Sequence, residues 1–150
     1  MDYHQQKWTI LAERIDPLII AKHMSQIRVY HRYTEKDSVG VEFAERAMQK
    51  HPNSALAMHY WVICLSTAEQ LAGYQRMLEK FPNAAFAHYQ IAYLYFQQDK
   101  IDSALLHIQK AIQLDSRISD NKSLLAQCYA KSGELEKSHR SLSEQYVVIS

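Results

Sequence analysis

The chain has 150 residues, the length of one compact domain, and 47% of them are hydrophobic, enough for a core. Lysine and arginine total 17 against 16 aspartates and glutamates, spread without runs of one sign, which excludes the clustered basic face of a nucleic-acid binder. The polar start Met1 to Trp8 lacks the basic and apolar regions of a secretory signal, and no run of about 18 uncharged apolar residues exists to span a membrane.

Three glycines, three prolines and little alternation of β-branched residues predict helices rather than strands. The first is a short leading helix with Trp8, Leu11 and Ile15 on one face, suited to cap the end of a helical stack. Asp16-Pro17 is a helix start, and Ile20, Met24 and Ile27 follow at helical spacing, which predicts a helix from about Pro17 to Tyr33. Val41 to Lys50 reads as the next, with Ala44 and Ala47 at close-packing positions.

His51-Pro52-Asn53-Ser54-Ala55-Leu56-Ala57 is echoed thirty residues later by Phe81-Pro82-Asn83-Ala84-Ala85-Phe86-Ala87. Each Pro-Asn is expected to close one helix and cap the next. Between them Met58-x-x-Trp61-Val62-x-x-Leu65 makes one helix, and Gln70-x-x-x-Tyr74 leads through a second to Pro82. Thr67-Ala68-Glu69-Gln70 reads as a capping box, which puts the shortening of this copy at the turn between its helices.

The strongest signal lies downstream, where Ala85 to Ile118 can be laid over Ser119 to Ser150 at a 34-residue offset. His88-x-x-Ile91-Ala92-x-x-Tyr95 followed by Ala104-x-x-x-Ile108-x-x-Ala111 matches Lys122-x-x-Leu125-Ala126-x-x-Tyr129 followed by Ser138-x-x-x-Leu142. Ala92 and Ala104 let two antiparallel helices approach closely, with Asp99-Lys100 and Gly133-Glu134 as the turns and Gly133 as a left-handed stop. The pattern resembles the tetratricopeptide (TPR) repeat, W-x-x-L-G-x-x-Y then A-x-x-x-F.

That resemblance implies an all-α fold, a right-handed superhelix of antiparallel helix pairs (a TPR-like α-solenoid) with an N-terminal helical cap. Residues 1–150 form a single domain on this reading: 1–50 a cap and degenerate repeat, 51–84 a short repeat, and 85–118 and 119–150 two further repeats. Within the degenerate repeat the match stops at Arg28 and His31, where the family has a small residue and a tyrosine.

The family also implies groove contacts from repeat positions two, five, nine and twelve, here Phe86, Tyr89, Tyr93 and Phe96, on a helical face distinct from the packing stripe of His88, Ile91, Ala92 and Tyr95. Leu56, His59 and Ile63 precede them in the short repeat, and Asp120, Ser123 and Gln127 follow, so the groove grades from apolar to polar. Ala84 to Gln98 carries no formally charged side chain, and four half-exposed aromatics would leave an apolar patch of roughly 300–500 Å². Either a partner, the N-terminal helices or a second copy of the chain is then expected to cover it. Repeats that clamp an acidic C-terminal tail use Lys and Asn where this chain has Tyr89 and Tyr93, so a segment with apolar or proline-rich anchors fits better.

No Gly-rich phosphate loop, G-x-S-x-G, C-x-x-C or H-E-x-x-H is present, and the eight histidines form no H-x-x-x-H pair. No enzyme activity, cofactor or metal is therefore expected. His88 takes the tryptophan position of the pattern, which assigns it to packing between helices. Cys64 and Cys128, far apart and flanked by apolar residues, are expected to be buried free thiols of a cytoplasmic protein, with a disulfide between them as the alternative. The function expected is that of a protein-interaction module, an adaptor or chaperone with a protein or peptide partner and no nucleic acid or membrane. A sharper version is a type III secretion translocator chaperone, which the near-neutral charge does not favour. The alternative is a self-associating scaffold segment, with a possible homodimer, and the apolar ending Tyr146-Val147-Val148-Ile149-Ser150 supports it. With Met1 taken as an initiating residue, any truncation is expected at the C-terminus.

Overall fold

The computed structural model describes residues 14–147, with the backbone alone for 145–147. The leading-helix positions Trp8 and Leu11 and the end of the apolar tail lie outside the described residues. Among the described residues eight helices follow in order: α1 (Pro17–His31), α2 (Ser38–Lys50), α3 (Ala55–Cys64), α4 (Thr67–Lys80), α5 (Ala85–Gln97), α6 (Ile101–Leu114), α7 (Ser119–Lys131) and α8 (Leu135–Val147). No strand occurs among the described residues, and the fold is all-α. The packing divides the chain into two compact units, Met1–Gly73 and Tyr74–Ser150.

In the first unit, α1 starts where expected because Asp16 accepts from the Leu18 N–H at 2.9 Å and Pro17 needs no hydrogen-bond acceptor there. Asp16 also meets Lys50 Nζ at 2.9 Å and His51 Nε2 at 3.0 Å, tying the start of α1 to the end of α2. The Leu18 amide first, then Lys50 and His51, bring its carboxyl pKa down to about 2. Helix α2 begins at Ser38 rather than Val41, because Asp37 caps it by accepting from the Gly40 N–H at 3.0 Å. Ile20, Ala21, Phe43 and Ala44 form the core between α1 and α2, with Met24, Tyr60 and Trp61 against it.

Helix α3 departs from the sequence expectation at both ends. Pro52 and Asn53 form the turn, and Ser54 is the cap, its Oγ accepting from the Ala57 N–H at 3.2 Å. The echoing Ala84 before α5 has no side chain that can do this. The capping box of α4 also sits one residue earlier than read: Glu69 Oε2 accepts from the Ser66 N–H at 3.2 Å and from its hydroxyl at 2.6 Å. The shortening is shared between helix and turn, since α3 has 10 residues where α5 and α7 have 13. Leu65 and Ser66 alone then link it to α4. Gly73 of α4 lies close over α3 in consequence: a Cβ there would stand 3.0 Å from the side chains of Val62 and Leu65.

In the second unit the 34-residue period reappears as repeated contacts. Ala92, Ala104, Ile108, Ala111, Leu124 and Cys128 make its core, and Ala92 and Ala104 are fully buried where α5 and α6 meet. Gln75 Nε2 donates to the Tyr95 hydroxyl at 3.3 Å, and Gln109 Nε2 to the Tyr129 hydroxyl at 3.2 Å, so each pattern tyrosine is fixed by a glutamine of the preceding helix. Both hairpins turn alike. Asp99 (φ 60°) and Gly133 (φ 84°) are left-handed, and the next amides, of Lys100 and Glu134, donate to the carbonyls of Tyr95 and Tyr129 at 3.0 and 2.8 Å. Ser138 stands where the preceding copy has Ala104, and its buried hydroxyl is satisfied by donating to the Ala126 carbonyl at 2.9 Å.

Candidate functional site

Helices α5 and α7 present the groove positions of consecutive repeats, and in the second unit the structure brings five of them together. Tyr89 and Tyr93, one turn apart on α5, face Asp120, Ser123 and Gln127 on one stripe of α7, with Leu124 at the floor of a cleft of about 90 Å³. Two turns of α7 separate Asp120 from Gln127, whose Nε2 stands 3.5 Å from Ser123 Oγ. The cleft offers two phenol rings, an amide, a hydroxyl and one carboxylate. Burial first, then the charge of Asp120 and the neighbouring Tyr93, push the Tyr89 phenol up, so it stays a neutral hydrogen-bond donor.

The other two aromatics of the stripe are placed differently. Phe86, in the first turn of α5, is half-buried and does not line the cleft. Phe96 is half-buried and packs on the core of the second unit, and Lys131 Nζ lies over its ring, 4.6 Å from the centroid. Tyr89 also packs on that core, whereas Tyr93 is 41% exposed. The groove stripe is thus less separate from the packing stripe than the spacing predicts, because adjacent stripes of one helix share their borders.

The first-unit residues of the same set stand as follows. Leu56 is 52% exposed, while Ile63 is half-buried and its carbonyl accepts from Arg28 Nε at 2.8 Å. His59 is half-buried beside Tyr60, and burial pushes its pKa down to about 4. A neutral imidazole is its form at neutral pH.

Two features escaped the sequence reading. His88 and His107, on α5 and α6, face each other through Nδ1 atoms 3.2 Å apart, beside an open furrow of about 590 Å³. His88 Nε2 lies 3.2 Å from the Pro82 carbonyl, which can only accept, so the proton of His88 sits on Nε2 and His107 donates from Nδ1. Burial and then His88 hold His107 below the usual histidine range. A nineteen-residue separation across two helices hides this pair from any local spacing rule. Arg28 is the second: it is only 5% exposed and donates to the carbonyls of Ile63 and Leu65. No cluster of three or more potential metal ligands occurs among the described residues. Cys64 and Cys128 are free and buried, and burial, with the nearby Asp37 charge, pushes the Cys64 thiol up to about 12. Among the described residues no helix is long and apolar enough to cross a membrane.

No protein-family model matches the sequence, and no curated protein matches it either. Solved structures do. A crystal structure of MamA, a TPR-like helical protein, aligns over 97% of this chain and 94% of its own with a TM-score of 0.67 at 13% identity. MamA from residue 41 to its end, from Desulfovibrio magneticus RS-1, aligns over 89% and 76% with a TM-score of 0.67 at 16% identity. MamA of AMB-1 aligns over 95% and 87% with a TM-score of 0.62 at 15% identity. At such identities the likeness establishes the fold, a TPR-like helical solenoid.

Proposed function

We propose that this chain is a protein-interaction module that holds a segment of a partner protein against the face shared by α5 and α7. The observation that carries the reading is the convergence of Tyr89 and Tyr93 with Asp120, Ser123 and Gln127. These residues come from equivalent faces of two successive repeats, and Tyr93 stays exposed although it is large and aromatic. Tyrosine faces accept prolines and aliphatic side chains, and the hydroxyl, amide and phenol groups can satisfy the backbone of an extended or helical segment. The TPR-like solenoid supports this reading, because such folds gather side chains of successive repeats on one face.

The test is a peptide array of overlapping 12-residue sequences, followed by calorimetry of the strongest binder on the intact chain and on Tyr93→Ala. Tyr93 is chosen because it is not part of the buried core cluster. The variant should keep its urea midpoint and bind at least about 30-fold more weakly, the loss of an aromatic hot spot worth roughly 2 kcal/mol. A peptide that binds both forms equally would overturn the placement. The scaffold alternative predicts instead that Tyr93→Ala changes the sedimentation of the chain alone.

A further inference from the structure

At the C-terminal end of α5 the chain holds a cation of its own between an aromatic ring and a carboxylate. Lys131 Nζ lies 4.6 Å from the centroid of Phe96 and 2.8 Å from Asp99 Oδ1, so ring face and carboxylate act on the same ammonium. Nearer the start of the same helix, Tyr89 and Tyr93 together with Asp120 supply the same two partners around the 90 Å³ cleft. Asp120 forms no ion pair or side-chain hydrogen bond among the described residues. Among the cleft residues it is also the only charged one, because α5 carries no charged side chain and the α7 contributors besides Asp120 are Ser123, Leu124 and Gln127.

We propose that the cleft is a cation anchor, taking an arginine, or more weakly a lysine, of the partner segment against Tyr89 and Tyr93 with its charge paired to Asp120. The inference rests on the reading that the α5–α7 face binds a partner segment, and adds what that segment must carry. Arginine is favoured over lysine because its planar, weakly hydrated guanidinium stacks on a phenol ring while donating two parallel hydrogen bonds to a carboxylate. The cleft suits the tip of a side chain rather than a whole residue, so the cation must arrive on a segment whose neighbours rest on the exposed ring of Tyr93. An acidic segment is disfavoured by the same geometry, since its charge would meet Asp120 with nothing basic lining the cleft.

The experiment uses the full chain, labelled with nitrogen-15, titrated with three capped pentapeptides of sequence Pro-Pro-X-Pro-Pro in which X is Arg, Gln or Glu. Amide shifts along α5 and α7 report binding. The Arg peptide should bind at least about tenfold more tightly than the Gln peptide, with the Glu peptide weakest, and added salt should shrink the Arg preference. Asp120→Asn should erase the Arg preference while leaving the Gln affinity in place, and Asp120→Glu should retain part of it. Both variants are first checked for an unchanged amide spectrum. If Arg and Gln peptides bind this face equally, the anchor is wrong and the binding face stands. Equally, an Arg preference that survives in Asp120→Asn overturns the anchor. If none of the three peptides shifts any amide of α5 or α7, both the anchor and the binding face fall.

Discussion

The two units close their helix hairpins with different chemistry. In the second, α5 and α7 end on a left-handed residue, Asp99 or Gly133, and the next amide returns to a carbonyl of the last turn. In the first, α3 is cut short at Cys64 and bends directly into α4, which leaves no room for that turn. Its carbonyls are taken by a residue from far upstream: Arg28 donates from Nε to the Ile63 carbonyl at 2.8 Å and from a terminal nitrogen to the Leu65 carbonyl at 2.9 Å. The same hand also reaches the Tyr33 carbonyl at 3.3 Å, tying down the loop after α1. A regular repeat satisfies its backbone locally, whereas a shortened one needs a long side chain from its neighbour. Arg28 thus closes the short α3–α4 link from outside it.

The sharpest way to break this comparison is Arg28→Ala. It takes the guanidinium from the Ile63 and Leu65 carbonyls and leaves them only the longer contacts of Gln70, each lost bond costing about 1–3 kcal/mol, so a loss of roughly 3–4 kcal/mol is expected. The loss should appear in urea unfolding and as faster amide exchange around the α3–α4 turn. A change below about 1 kcal/mol would mean that water or Gln70, whose Nε2 stands 3.4 and 3.5 Å from the same two carbonyls, replaces the guanidinium without cost.

Acid should separate the units next. His59 in the first unit has a folded pKa of about 4, lowered by burial. A base depressed in the folded state takes up its proton more readily when unfolded, so its contribution is complete above the unfolded value near 6.5 and is lost as pH falls toward 4. The loss is at most about 3 kcal/mol, because solvent reaches part of the ring. In the second unit His107 is lowered too, by burial and by His88, so its contribution erodes in the same direction below about pH 6.5. Urea midpoints of the intact chain between pH 7.5 and 4.5, compared with His59→Gln and His107→Gln, assign the slope. A wild-type midpoint that does not fall with pH would refute the buried neutral state of both rings.

How much of this was legible beforehand follows the same division. Residues 85 onward announce themselves because the 34-residue period fixes turn, small residue and tyrosine together, and even the cleft from Tyr89 to Gln127 could be read from repeat positions. The capping residues slipped by one, from Asn53 to Ser54 and from Thr67 to Ser66, since each neighbouring pair contains two residues able to cap. Phe96 was read as groove because helical spacing says nothing of Lys131, a residue of another helix that reaches across to it. Arg28 and the His88–His107 pair were missed for one physical reason. Each depends on atoms of residues 19 or more positions away, which periodicity along one helix cannot encode.

The smallest expected effect concerns the counterpart of Arg28 in the second unit. Lys131 is also a cation near a helix end, but its side chain is 46% exposed and its carboxylate partner Asp99 80% exposed. An exposed pair of this kind contributes about 0–1 kcal/mol, and the ammonium over the Phe96 ring adds about 0.5–1 kcal/mol at such a site. Backbone closure does not depend on it, since the Lys100 and Glu134 amides already return to Tyr95 and Tyr129. Lys131→Ala should therefore cost about 1 kcal/mol or less, a small fraction of the loss at Arg28, with salt weakening the Asp99 share first. It should also uncover the ring at position 96, so that in a Phe96→Trp background added caesium quenches the indole more strongly with Lys131→Ala than with Lys131 in place. A loss at Lys131 as large as that at Arg28 would show that burial does not set the difference between the two units.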